Sequence, residues 1–141
     1  MLRYALDTNV LSQAVLAHGD RAVLARLRAE YHAAAVPSPV VHELTYGYQR
    51  LEPGAKRTRL EEFVHAAVCR GLPILPYDES AAVWHAAERA RLERRGRAPS
   101  ATDGQIAAIA AVHGLTVVTA NVRHFADFDG LTVEDWSLEQ A

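Results

Sequence analysis

Apolar positions along the chain gather in short clusters separated by glycine, proline and capping residues, and the clusters alternate between strand-like and helical spacing. Arg3 to Leu6 reads as a short strand, and Asp7-Thr8-Asn9 ends it with residues that cap a helix over 10–17. After Gly19-Asp20, the recurrence of Val23, Leu24, Leu27 and Tyr31 with arginines opposite predicts an amphipathic helix over 21–31. Ala33 to Val36 is an apolar run bounded by Pro37, and Ser38-Pro39 reads as the N-cap and first-turn proline of a helix over 40–50. Pro53-Gly54 closes that helix. Residues 55–70 place Leu60, Phe63, Val64 and Ala67 on one face of the next, with Gly71 as its C-terminal cap. A strand is expected over 72–75, then a helix over 79–95 capped by Asp78 and ended by Gly96. Pro99-Ser100 opens a helix over 101–113 that Gly114 stops. Thr116 to Thr119 is β-branched throughout, and Leu131 to Val133 is a weaker final strand.

Short strands alternating with helices imply parallel pairing. The expected fold is therefore α/β, a three-layer α/β/α domain with a short central parallel sheet of about five strands. The 141 residues fit one domain over 1–141, large enough to bury a core without disulfides or a structural metal. A hydrophobic fraction of 50% with 23% charged residues is the balance of a globular chain.

Composition then narrows the chemistry. Cys69 is the sole cysteine, which excludes an intrachain disulfide and a thiolate cluster and fits a reducing, cytoplasmic compartment. The N-terminal segment reaches Arg3 and Asp7 too soon for a signal-peptide apolar stretch, and no apolar run approaches the roughly 20 residues of a membrane span. A net charge of −2 excludes bulk attraction to nucleic acid, so any such contact must be local.

In an open parallel sheet the functional crevice lies beyond the carboxyl ends of the strands. Asp7 leaves its strand there, and Glu43 and Asp103 sit in early turns of helices whose N-termini gather at the same edge. Each acid also has an ordinary role open to it: Asp7 as an N-cap, Asp103 as a complement to a helix dipole. Glu43 follows Val40-Val41 and precedes Leu44 on a helix expected to be largely buried, where an unpaired carboxylate is costly. Acids brought together repel unless a cation neutralises them. With oxygen donors and no Cys or His at ligand spacing, the cluster suits Mg2+, or Mn2+ in its place, and the chemistry of phosphodiester hydrolysis.

Four ordered segments carry a resemblance: Tyr4-Ala-Leu-Asp-Thr-Asn-Val-Leu-Ser12, Pro37-Ser-Pro-Val-Val-His-Glu-Leu-Thr-Tyr-Gly47, Ala101-Thr-Asp-Gly-Gln-Ile-Ala-Ala108 and Val117-Val-Thr-Ala-Asn-Val-Arg-His-Phe125. In these the chain resembles the PIN-domain ribonucleases, specifically VapC-type toxins of type II toxin–antitoxin pairs. The resemblance implies endonucleolytic cleavage of RNA, with Asp7 and Asp103 as principal magnesium ligands and Glu43 as a further acid. It makes Thr8, Asn9 and Thr119 candidate donors that orient carboxylates or substrate. It also implies a homodimer and a cognate antitoxin that blocks the site. One departure stands out: many relatives carry a fourth acid where this chain has Asn121, whose amide oxygen can face a metal or a water but brings no charge.

Arg89, Arg91, Arg94, Arg95 and Arg97 form the densest basic run. It reads either as a solvated helix face or, through Arg89, Arg94, Arg95 and Arg97, as a track for the RNA backbone. The histidines are scattered, His85 and Glu88 at helix-surface spacing, and receive no catalytic role. Cys69 is expected in the core, Trp84, Phe63 and Tyr46 in packing or dimer contacts, and Tyr48 or Phe125 as exposed platforms for base stacking. Two rivals remain: a PIN domain acting only as a binding module, and an aspartyl-phosphate protein, which needs a lysine near the phosphoryl group and finds Lys56 alone, at a helix start.

Overall fold

Tyr4-Ala5-Leu6 is buried on both faces, so this run can only be a central strand of a covered sheet. In the computed structural model, which describes residues 1–137, it forms β1 (Tyr4–Leu6). The chain continues through α1 (Thr8–Ser12), α2 (Arg21–Glu30), β2 (Ala34–Pro37), α3 (Ser38–Gln49) and α4 (Ala55–Phe63). It then passes through β3 (Ile74–Leu75), α5 (Glu79–Arg94), α6 (Ala101–Val112), β4 (Thr116–Val118) and β5 (Val133–Glu134). The strands pair in parallel in the order β3-β2-β1-β4-β5, and helices flank the sheet in the expected three-layer α/β/α arrangement. Strand order turns back between β1 and β4, which opens a crevice at their carboxyl ends.

The register decides what meets in that crevice. Ala5 pairs with Val117 and Leu6 with Val118, and the Asp7 amide donates to the Val118 carbonyl at 3.0 Å. The next side chains along, Asp7 and Thr119, therefore lie side by side. The helix α6 is buried through Gly104 and Ile106–Ala110, packs against β1, β2 and β4, and has α3 and α5 beside it. Its alanines bring the helix close to the sheet, with its N-terminus at the strands' carboxyl edge.

Several local expectations shift. The first helix starts at Thr8 and ends at Ser12, where the chain tightens into a 3-10 turn over Gln13–Val15. Pro37 ends β2 and is itself the N-cap of α3, so Ser38 is the first helical residue and caps nothing. The helix expected over 55–70 widens into a π-type segment at Val64–Cys69, within which the Ala67 carbonyl accepts from the Tyr31 hydroxyl at 2.8 Å. That segment buries Val64 and Val68 and turns Cys69 outward, contrary to its expected place in the core. The third strand is only Ile74–Leu75, and the last lies at Val133–Glu134, where the Thr132 and Glu134 carbonyls accept from Val117 and Thr119. Among the described residues no helix is long and apolar enough to cross a membrane.

Candidate active site

Asp7 is built into the crevice by its backbone. As the N-cap of α1 it is extended, its carbonyl accepts from the Val10 and Leu11 amides, and its Oδ1 accepts from the Thr8 amide at 2.8 Å. Oδ2 accepts from the Thr119 hydroxyl at 2.9 Å and from Asn9 Nδ2 at 3.4 Å. Thr119 is fully buried, and its hydroxyl also accepts from Asn9 Nδ2 at 3.2 Å and from the Asn121 amide at 3.0 Å. One donor and two acceptor positions are thus all used. Asn9 Oδ1 takes the Ala120 amide at 3.0 Å, which ties the loop after β4 to the start of α1.

Only 6% of Asp7 is exposed. Burial pushes its carboxyl above the usual carboxylate range, the Thr119 hydroxyl and Thr8 amide pull it back, and the Asp103 charge raises it further against a smaller opposing effect of His124. Asp103 projects from the first turn of α6. Ser100 is the N-cap there and accepts from the Asp103 amide at 3.1 Å, so capping does not require the Asp103 carboxylate. That carboxylate instead meets His124 Nδ1 at 3.4 Å. Glu43, on α3, accepts from the Thr8 hydroxyl at 2.8 Å.

Asp7, Glu43 and Asp103 line one cavity of about 410 Å³ with Thr8, Asn9, Ser12, Gln13 and Asn121. Every ionisable group on its wall is a carboxylate. The PIN domain signature matches residues 4–131 of the sequence. The chain belongs to the PIN-domain family. The PIN domain is 33% identical to "tRNA(fMet)-specific endonuclease VapC" of Shigella flexneri, over 97% of this chain and 100% of that one. It is 32% identical to "Toxin FitB" of Neisseria gonorrhoeae, over 93% and 96%. DNA-bound VapBC from Salmonella typhimurium superposes with a TM-score of 0.84 at 31% identity, covering 96% of this chain and 99% of that one.

The three acids of this PIN domain share a cavity without closing into a cage. Among the described residues no three acids, cysteines or histidines stand close enough to form a ready-made ion site. The Asp103 charge acts on Asp7, while Glu43 is exposed at the rim and is held by Thr8 rather than buried as its neighbours suggested. The donor set still fits Mg2+, which is commonly held by one or two carboxylates together with substrate phosphate. The raised pKa of Asp7 marks a charge that a cation would relieve. Asn121 also lines the cavity, exposed, and brings only its amide.

The arginine run divides. Arg89 pairs with Glu93 at 3.0 Å, and Arg91 grips Glu88 at 2.7 and 2.8 Å and the Asp127 carbonyl at 2.8 Å. Arg97 alone of the run reaches a cavity wall shared with Asp103; Arg94 and Arg95 are exposed at the end of α5. Glu88 and His85 are buried, not on the surface: Arg91 and the Asp129 amide hold Glu88 below its usual pKa, and His85 Nδ1 lies 2.8 Å from the Tyr77 hydroxyl. Tyr48 is 4% exposed and Phe125 1%, so neither offers the stacking face expected of it. Tyr46 is exposed, while Trp84 and Phe63 pack against the core.

Sequence reasoning gave His124, Ser12 and Gln13 no place at the site and read Ser100 only as the start of a helix. The spacing Ser100-Ala-Thr-Asp103 is a capping pattern that signals Ser100. Ser12 and Gln13 follow Asn9 by three and four residues and so share its helix face. His124 carries no such signal, because only the turn over Val122–His124 brings it to Asp103.

Proposed function

We propose that this PIN domain is a magnesium-dependent endoribonuclease and the toxin of a type II toxin–antitoxin pair. The observation that carries the reading is the buried Asp7, its pKa raised by that burial, facing the same cavity as Asp103 and Glu43. Asp7 and Asp103 would hold the ion, Glu43 would support them, and Mn2+ is the expected substitute. When bound, the cation polarises a phosphoryl oxygen and offsets charge building on the phosphate during in-line displacement.

The chain's own residues orient the acids. The Thr119 hydroxyl and the Asn9 amide fix Asp7 Oδ2, and the Thr8 amide fixes Oδ1. Thr8 also turns Glu43 toward the cavity, and Asn121 offers a neutral hydrogen-bonding edge at its mouth. Such hydrogen bonds commonly change metal affinity or activity by about 10–100-fold when lost.

RNA as substrate is supported by relatives named as ribonucleases and endonucleases, and an antitoxin partner by neighbours solved as FitAB and VapBC assemblies. A homodimer and a cytoplasmic location belong to the same reading. The aspartyl-phosphate rival loses its lysine: Lys56 lies in the first turn of α4 and lines a cavity that Asp7 does not share. A PIN domain used only for binding is favoured by one observation, the uncharged Asn121. Mapping RNA 5′ ends after induction of the wild type and of Asp103→Ala separates the two. New ends with the wild type alone support the enzyme; identical profiles refute it.

A further inference from the structure

Asp103 lines two cavities, and a third adjoins them. Beside the acid cavity lies one of about 350 Å³ whose wall brings Arg97, Arg123 and His124 together with Asp103, Asp127 and Ser100. Asn121 joins the acid cavity to another of about 570 Å³ whose wall again includes Arg123 and His124. The turn Val122–His124 therefore stands between two depressions that both open beside the acids.

The charges there are not distributed evenly. Asp103 Oδ2 lies 3.4 Å from His124 Nδ1. Asp127 accepts from Arg97 Nη1 at 2.8 Å and is itself held in place, because Arg91 binds its carbonyl and Glu88 binds the Asp129 amide. Arg97 is thereby stationed at the cavity wall with one N–H used, and a guanidinium has five. Arg123 makes no ion pair among the described residues, although it lines both depressions. A chain with a net charge of −2 and an acid-walled cavity repels a polyanion except where such cations stand.

We propose that the cavity between Arg97 and Arg123 is a phosphate subsite, which holds the backbone phosphate next to the bond cleaved at Asp7 and Asp103. The inference rests on the ribonuclease reading. Arg123 is the principal ligand, offering a planar fork suited to two phosphate oxygens, and Arg97 is the second, with Asp127 fixing its position. The substrate chain then runs from the acid cavity across the Val122–His124 turn. Arg89, Arg94 and Arg95 line none of these cavities and lie outside the subsite.

The test uses the full chain with a mixed-sequence single-stranded RNA 20-mer, binding read by fluorescence anisotropy in EDTA across a salt series, and cleavage read on total RNA in Mg2+. Arg123→Gln and Arg97→Gln are each expected to raise Kd roughly 3–10-fold and to reduce the slope of log K against log salt by about 0.7, the value for one lost phosphate contact on a single strand. Arg70→Gln, remote from these cavities, is expected to change neither. Cleavage by Arg123→Gln is expected to show a raised KM at an unchanged kcat. If the wild type cleaves RNA while Arg123→Gln matches it in Kd, salt slope and KM, the subsite is overturned and the ribonuclease reading stands. If the wild type cleaves no RNA, the ribonuclease reading falls and the subsite with it.

Discussion

Gly104 directly follows Asp103 and faces His85 of α5 so closely that a Cβ on it would lie 2.2 Å from Nε2, 2.7 Å from Cδ2 and 3.0 Å from Cε1. Gly104→Ala therefore forces a movement of about 1 Å by the imidazole or by the start of α6. The ring cannot swing away freely, since it is buried and its Nδ1 is tied to the Tyr77 hydroxyl at 2.8 Å. Overpacking costs about 1–3 kcal/mol and the strained hydrogen bond about 0.5–1.5 kcal/mol, against a helix-propensity gain of about 1 kcal/mol for alanine over glycine. The expected net loss is about 1–3 kcal/mol by urea denaturation. In a His85→Ala background the clash is gone, and the same substitution should become neutral or stabilising by up to about 1 kcal/mol. Catalysis should fall further than stability does, because Asp103 rides on the same turn. An equal cost of Gly104→Ala in both backgrounds would refute the reasoning, since His85 would then not be what the new methyl meets.

Asp7→Asn should abolish cleavage, and its stability relative to the metal-free wild type should rise with pH on top of a fixed cost from setting an amide NH2 against the donors that Asp7 faces. The folded-state pKa of Asp7 lies above its ordinary value, so the penalty for its charge is absent below about pH 3.8 and grows as pH rises through the raised value. Thermal melting in EDTA should show Asp7→Asn gaining on the wild type as pH increases from 4 to 7; parallel curves would contradict the burial argument. Thr119→Val should lower activity about 10–100-fold while Thr119→Ser retains most of it, because only the hydroxyl joins Asp7, Asn9 and Asn121. Asn121→Asp should tighten magnesium binding in calorimetry by restoring a charge at the cavity mouth; no gain would sink the claim that the site is one charge poor.

Much of the fold is legible because each short strand is bounded by caps, glycines or prolines and alternates with a helix, which dictates parallel order and the edge where Asp7 and Asp103 meet. Side-chain burial was harder to read. In α5 the buried stripe is Ala81, His85, Glu88 and Leu92, a proper helical spacing that carries two polar residues. Those residues look like surface until their partners are placed: Arg91 one turn along the same helix, and Tyr77 and the Asp129 amide outside it. Tyr48 continues the stripe of Val40 and Leu44, and so is buried for reasons its own neighbours do show. Glu43 and Cys69 each sit one position off a buried residue, Leu44 and Val68, and that single step of about 100° turns them outward. His124 was invisible because its approach to Asp103 depends on a turn and not on any periodic element.

The central claim is that the acids of one cavity perform metal-dependent cleavage of RNA, and purified protein incubated with labelled total RNA tests it most directly. Cleavage is expected with Mg2+, is expected to vanish with EDTA and return on adding excess Mg2+, and is expected to be absent from Asp7→Ala at every metal concentration. Cleavage that persists in EDTA, or that Asp7→Ala retains at the wild-type rate, would contradict the account.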